Sequence, residues 1–232
     1  MDIKNKYLSL ALFSLLFASL PLQAAMTVKP FSTTYTVHYN GLKVGEMTQR
    51  LEARDDGTYL LETVVYTTGI VSWFKKDRVT ERSTWRYVDG KVQPLKYTYH
   101  YTGRNKDALE KVVFDWKKMQ VSSLNEGKTT ILPLKPGIYD KQVYQLVLRH
   151  DLDAGIKTFH YDVANRSKIR DFDLEVVGRE QVMTPSGKVD AIMVKKGTTT
   201  LWLADKHNYT VVKIEQNEDG NLATSYLTST LP

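Results

Sequence analysis

A metal site needs two or three histidine or carboxylate donors converging on one point, and proton transfer needs an acid and a base within reach of the same bond. The chain has five histidines, His38, His100, His150, His160 and His207, with neither a His-x-His nor a His-Glu-x-x-His spacing, so neither a metal nor a cofactor is expected. Cysteine is absent, which excludes disulfides, thiol nucleophiles and thiolate metal sites. No Gly-x-Ser-x-Gly elbow presents a serine, and Pro185-Ser186-Gly187-Lys188 lacks the upstream glycine of a phosphate loop and reads as a hairpin turn. Asp171 and Asp173 share one strand face and are of the type that flanks a glycosidic bond, but an acidic, solvent-facing edge explains them better. No catalytic residue is expected.

Binding chemistry is better represented. The chain carries 14 Tyr, 7 Phe and 4 Trp, with Tyr97, Tyr99 and Tyr101 alternating along one strand face and the cationic, aromatic run Trp73-Phe74-Lys75-Lys76 nearby in sequence. Such rings have apolar bodies and polar tips that suit lipid headgroups or sugar rings. The plainer account, that they build the core of an aromatic-rich β protein, is the favoured one. Asp140 and Arg149 lie nine positions apart, Asp140 placed to cap a helix and Arg149 near its end, where it either serves structure or projects into a cavity as an anion ligand. The candidate ligand-binding set is Trp73, Lys76, Tyr97, Tyr99, Tyr101, Arg149 and Trp202.

Strands must position these residues. Phe31, Thr33, Tyr35, Val37 and Tyr39 alternate with Ser32, Thr34, Thr36 and His38, and Asn40-Gly41 follows as a hairpin turn. The same alternation recurs over 95–101 and 171–176, and further strands are predicted at 43–52, 59–67, 78–88, 111–116, 119–124, 158–163, 189–195, 198–204, 209–216 and 222–230. Asp56-Gly57, Asp89-Gly90, Asn125-Glu126-Gly127, Ser186-Gly187 and Asp219-Gly220 supply turns between them. One segment departs from this period: Val143, Leu146, Val147 and His150 follow helical spacing over about 140–153, with Gly155 beyond the end. The predicted fold is mainly β, a large curved antiparallel meander or open barrel crossed by that single α-helix. Pro133 and Pro136 stiffen the stretch 132–137, the best candidate for an internal boundary within one β-rich domain, 25–232.

The first twenty-four residues predict a cleaved leader. Lys4 and Lys6 precede an apolar run, Tyr7–Leu20, too short to cross a bilayer, and Pro21 and small residues follow, with the cut expected after Ala24. Without a cysteine at the new terminus no lipid anchor is expected, and the mature chain should lie in the periplasm with no transmembrane span. Removing residues 1–24 takes away two lysines and one aspartate and lowers the formal charge from +6 to +5. That excess favours anionic surfaces, while the dispersed cations and the exported setting argue against nucleic acid. An outer-membrane barrel is disfavoured because charged residues interrupt both strand faces and the chain ends in Leu231-Pro232.

Several short motifs act as a set: Tyr35-x-Val37, Gly41-x-x-Val44-Gly45, Asp89-Gly90-Lys91-x-x-Pro94, Ile131-Leu132-Pro133, Tyr139–Leu146 with Leu148-Arg149, Thr184–Ala191 and Leu201-Trp202-Leu203-Ala204. Together they resemble the exported bacterial proteins of the domain-of-unknown-function family DUF3108, over nearly the whole mature chain. The resemblance implies a β-rich, Gram-negative envelope protein and supplies no catalytic residues. The resulting expectation is a non-enzymatic periplasmic protein that binds an amphipathic or anionic envelope component, lipid or glycan, on a concave sheet. Two alternatives stand beside it: a scaffold or assembly partner for another envelope protein, and a glycan-active enzyme.

Overall fold

The computed structural model describes residues 28–74, 76–104 and 106–231, so the leader lies outside the described residues. Fifteen strands form one sheet: β1 (Phe31–Tyr39), β2 (Leu42–Ala53), β3 (Tyr59–Thr67), β4 (Arg78–Val88), β5 (Lys91–Thr102), β6 (Asp107–Asp115), β7 (Gln120–Asn125), β8 (Lys128–Pro133), β9 (Ile138–Tyr139), β10 (Thr158–Asn165), β11 (Lys168–Thr184), β12 (Gly187–Lys196), β13 (Thr199–Ala204), β14 (Thr210–Glu218) and β15 (Asn221–Leu227). Two helices accompany them, the single turn α1 (Val71–Phe74) and α2 (Tyr144–Asp153). The strand order, β8 through β1 and then β15 back to β9, joins the two ends of the chain in the middle of the sheet, where β1 pairs with both β2 and β15. Every pairing is antiparallel except β9 on β10, so the sheet is open and mixed.

Local sequence explains the hairpins. At Asn40-Gly41, Asp89-Gly90, Glu126-Gly127 and Asp219-Gly220 both residues have positive φ, from 47° to 83°. Two-residue turns of this kind match the right-handed twist of the strands they join. Gly45 answers a different need: a Cβ there would stand 2.4 Å from the Tyr66 carbonyl oxygen, so only glycine lets β2 run this close to β3.

The sheet curls around α2. Leu146, Leu148 and Val143 on or beside the helix are almost wholly buried, and they share one cluster with Leu51, Leu61 and Trp85 on one side of the curl and Val163, Leu174 and Leu203 on the other. Within this core Trp85 stacks on Tyr59 at 4.5 Å and meets Tyr87 edge-on at 5.0 Å. Sequence periodicity alone predicted a helix lying on the sheet by one apolar face. Tyr144, Leu146, Val147, Leu148 and Leu152 are instead buried around most of its circumference, because the sheet wraps it. Asp140 does cap the entry, its Oδ1 accepting from the Gln142 and Val143 backbone N–H groups at 2.9 Å each. Regular helix begins at Tyr144, after one turn of looser geometry. It ends in a Schellman arrangement, with Gly155 N–H bonded to the Leu152 carbonyl, Ile156 N–H to the Asp151 carbonyl, and Gly155 at φ +82°.

The stretch 132–137 carries the chain from the half of the sheet built by β1–β8 to the half built by β9–β15. It links β8 to β9, the two edge strands, and so spans the seam of the curl. Pro133 ends β8, at a position opposite Gln120 on an edge strand, where a missing N–H is tolerated. Side chains close the seam that the ladder leaves open. Glu110 on β6 accepts from Arg166 N–H at 2.7 Å and pairs with Lys141 Nζ at 3.3 Å, while Ser123 on β7 accepts from Ser167 N–H at 3.1 Å.

Candidate functional site

The seven residues singled out by sequence fall in four places. Tyr97 and Tyr99 flank the seam, where the Lys141 ammonium lies over both rings at 5.2 and 4.8 Å. A cation already occupies this aromatic pair, supplied by the chain itself and held in place by Glu110. Tyr97 is fully buried and donates to Glu81 at 2.6 Å, and burial, reinforced by Glu81, pushes its phenol far above the usual range. Next to it the buried Asp140 carboxyl accepts from Ser83 Oγ at 2.5 Å as well as from its two backbone donors. Burial pushes Asp140 up to about 6, against the pull of those hydrogen bonds.

Trp202 belongs to the core: it is 4 % exposed, its Nε1–H donates to Glu180 at 2.7 Å, and Lys213 covers its ring at 3.9 Å. Trp73 and Lys76 stand exposed at one rim of the curl, on and just beyond α1. Tyr101 is half-buried near the same rim and donates to Asp77 at 2.9 Å. None of these residues lines either of the two clefts described below.

Arg149 is the exception in chemistry. It projects from α2 with its guanidinium over the Phe31 ring at 4.9 Å, at the start of β1. Its Nε is buried without a hydrogen-bond partner, and no carboxylate pairs with it among the described residues. Burial lowers its pKa, with Tyr35 the nearby group that opposes the shift, yet a guanidinium keeps its proton in a protein. A cation with one nitrogen cut off from water and no partner carries a desolvation cost that an anionic ligand would offset. Phe31, the platform under the guanidinium, also walls an open cleft of about 500 Å³ together with Pro30, Ser32, Arg50, Leu51, Glu52 and Ala53. Arg50 in that cleft is already paired with Glu52 at 2.7 Å.

A second cleft, of about 600 Å³, opens where β11 exchanges β12 for β10 as its partner, with Phe159 and Leu174 as its floor and His160, Asp173, Glu175 and Lys195 on its walls. Beside it the structure assembles donors that sequence spacing did not reveal. His160 and the carboxylates of Asp162 and Asp171 bring one ligand atom each within 4.8 Å of one another, and His160 Nδ1 lies 2.7 Å from Asp173. These are the residues that could hold a cation. They come from facing positions on two strands, Asp162 opposite Asp171 and His160 opposite Asp173, a proximity that only the β10–β11 register creates. The hydrogen bond to Asp173 raises the His160 pKa, and Asp162 is also engaged by Lys135 at 2.9 Å.

Residues 34–228 match the family described as protein of unknown function, DUF3108. The chain belongs to this family. No curated protein matches it. Among solved structures it is similar to a β-barrel-like protein of domain of unknown function DUF1849 from Brucella abortus, with a TM-score of 0.55 and 12 % identity over 86 % of this chain and 96 % of that one. At that identity the likeness concerns the fold alone, and it agrees with a single curled sheet. For this DUF3108 member no described helix is long and apolar enough to cross a membrane.

Proposed function

We propose that this protein is exported to the periplasm and acts there as a non-enzymatic binding protein for an anionic, amphipathic envelope component, a lipid or a glycan derivative. The observation that carries this reading is Arg149, a half-buried residue whose Nε is cut off from water without a hydrogen-bond partner and whose guanidinium has no carboxylate partner among the described residues, lying against an aromatic ring that also walls a cleft. The helix fills the concave face, so a ligand meets the curl at its open end near Phe31 instead of lying along the sheet. An anionic head reaches the guanidinium, and an apolar portion rests on Phe31 and Leu51.

A monomeric alkyl phosphate should bind saturably in calorimetric titration, and an alkyl glucoside of equal chain length far more weakly. Arg149→Ala should weaken the phosphate by about 1.5–3 kcal/mol, the worth of a charge-assisted hydrogen bond, without loss of fold. Equal affinity of wild type and variant would remove Arg149 from the ligand site. For the export half of the reading, fractionation followed by N-terminal sequencing should find a periplasmic species that starts at Ala25 or within a residue or two of it. Retention of Met1 in an inner-membrane fraction would count against it.

A second reading has its own support. Among the described residues the outer edge of β8 carries no strand partner, and Ile131 on it is 55 % exposed, so an envelope protein could add a strand there. Pro133 offers no donor to such a partner, which limits the free edge to a few residues.

A further inference from the structure

We propose that the rim formed by the β1–β2 turn and the segment between β3 and β4 docks this protein onto an anionic lipid bilayer surface. The three most exposed large apolar side chains among the described residues are Trp73, Leu42 and Ile70, at 78 %, 73 % and 69 %. They stand at one end of the curl. Gly45 pairs with Thr67, and Thr68 N–H then bonds to the Val44 carbonyl, so the same register carried onward brings Ile70 level with Leu42. Trp73 follows on α1, and Tyr39, 47 % exposed, stands opposite Leu42 across the hairpin. Apolar side chains of this size gathered at a tip need a partner, since scattered exposure does not collect the extremes of a molecule in one place.

Charge decides which partner. Lys76 and Arg78 leave the same segment, and Arg104 and Lys106 occupy the neighbouring β5–β6 turn, which approaches Asp77 closely enough that a Cβ on Gly103 would stand 3.0 Å from its carboxylate. Asp77, Asp107 and Glu46 are acidic residues interspersed with these four cations; Asp77 accepts from Tyr101, and Glu46 accepts from Tyr66 and pairs with a further cation, Lys43. The acidic turn bearing Glu218 and Asp219 lies beside the β1–β2 turn, where Asn40 N–H bonds to the Leu222 carbonyl at 2.8 Å, on the flank of the rim away from β3 and α1. A tryptophan and two aliphatic side chains ringed by lysine and arginine match the interface of a bilayer that carries negative headgroups: the indole sits at headgroup depth and the cations remain in the surface potential. A protein partner of ordinary composition gives no reason for the cationic ring.

This site is separate from Arg149, so its test is separate too. The whole mature chain is mixed with vesicles of equal parts phosphatidylglycerol and phosphatidylcholine, and with vesicles of phosphatidylcholine alone, and binding is read by co-sedimentation and by the emission of Trp73 in a variant whose other tryptophans are replaced by phenylalanine. Expected are binding to the anionic vesicles with a blue-shifted emission, weakening as salt is raised, and little binding to the neutral ones. Trp73→Ala should weaken binding roughly tenfold, the equivalent of losing one buried aromatic side chain, and Ile70→Ser severalfold. Both side chains are exposed, so thermal stability should not change. Lys76→Glu with Lys106→Glu should weaken binding to anionic vesicles only. Because co-sedimentation needs no fluorophore, a misfolded triple-phenylalanine variant leaves the result intact. The proposal is overturned by equal binding to both vesicle types, by vesicle binding that Trp73→Ala leaves unchanged, by absence of binding, or by cross-linking from position 73 that recovers an envelope protein while vesicles are ignored.

Discussion

Asp140→Asn is expected to stabilise the protein at neutral pH by about 1–3 kcal/mol and to flatten its pH dependence between about pH 4 and pH 6. The carboxyl titrates at 3.8 when unfolded and is pushed up to about 6 by burial in the native state. The folded chain therefore holds this proton more tightly than the unfolded one. The resulting stabilisation is fully present below about pH 4 and is lost as pH rises through about 6, a total on the order of 3 kcal/mol. Asparagine keeps the two hydrogen bonds from Gln142 and Val143 through its amide oxygen and can donate to Ser83 Oγ, while it removes the buried charge. The Ser83 hydroxyl then loses its carboxylate acceptor, which offsets part of the gain. Asp140→Ala should have the opposite effect, about 2–4 kcal/mol of destabilisation, because two buried N–H groups and a hydroxyl lose their acceptor at once. Denaturant titrations of the three proteins across this pH range supply the check. A wild-type stability that rises between pH 4 and 6 as steeply as that of Asp140→Asn would show that Asp140 is not the group responsible.

The strands were the most legible part of the sequence. β3 and β4 begin and end where the sequence placed them, 59–67 and 78–88, between turn residues such as Asp56-Gly57 and Asp89-Gly90. β11 runs to seventeen residues although only 171–176 showed clean alternation, because a register shift against β12 between Val176 and Gly178 interrupts the period. β8 was hidden by Pro133, which is a stop signal in a central strand and harmless at the end of an edge strand. α1 is a single turn and has no periodicity to read.

The candidate site was legible one residue at a time and not as a constellation. Asp140 was recognisable as a cap from its place before the helical spacing, yet its burial follows from Ser83, fifty-seven residues earlier, arriving through the curl of the sheet. Tyr97 and Tyr99 form an aromatic pair as their alternation suggested, but Lys141 fills it, and that encounter depends on where the helix enters the seam. His160 and the aspartates around it needed the β10–β11 register. Arg149 was named for its charge near the end of a helix. What makes it informative is the lack of a counter-ion, a property of the surroundings that no local pattern encodes.

That lack gives the most direct measurement of the central claim, the comparison of wild type with Arg149→Met by thermal unfolding in the absence and presence of a monomeric alkyl phosphate. Methionine fills similar space with a flexible apolar chain, removes the unpaired cation and forgoes its contact with Phe31. If Arg149 is kept as an anion ligand at the expense of the fold, the ligand-free variant should be more stable than wild type by about 1–4 kcal/mol, and the alkyl phosphate should raise the unfolding temperature of wild type alone. A variant less stable than wild type, and still stabilised by the alkyl phosphate to the same extent, would contradict that assignment.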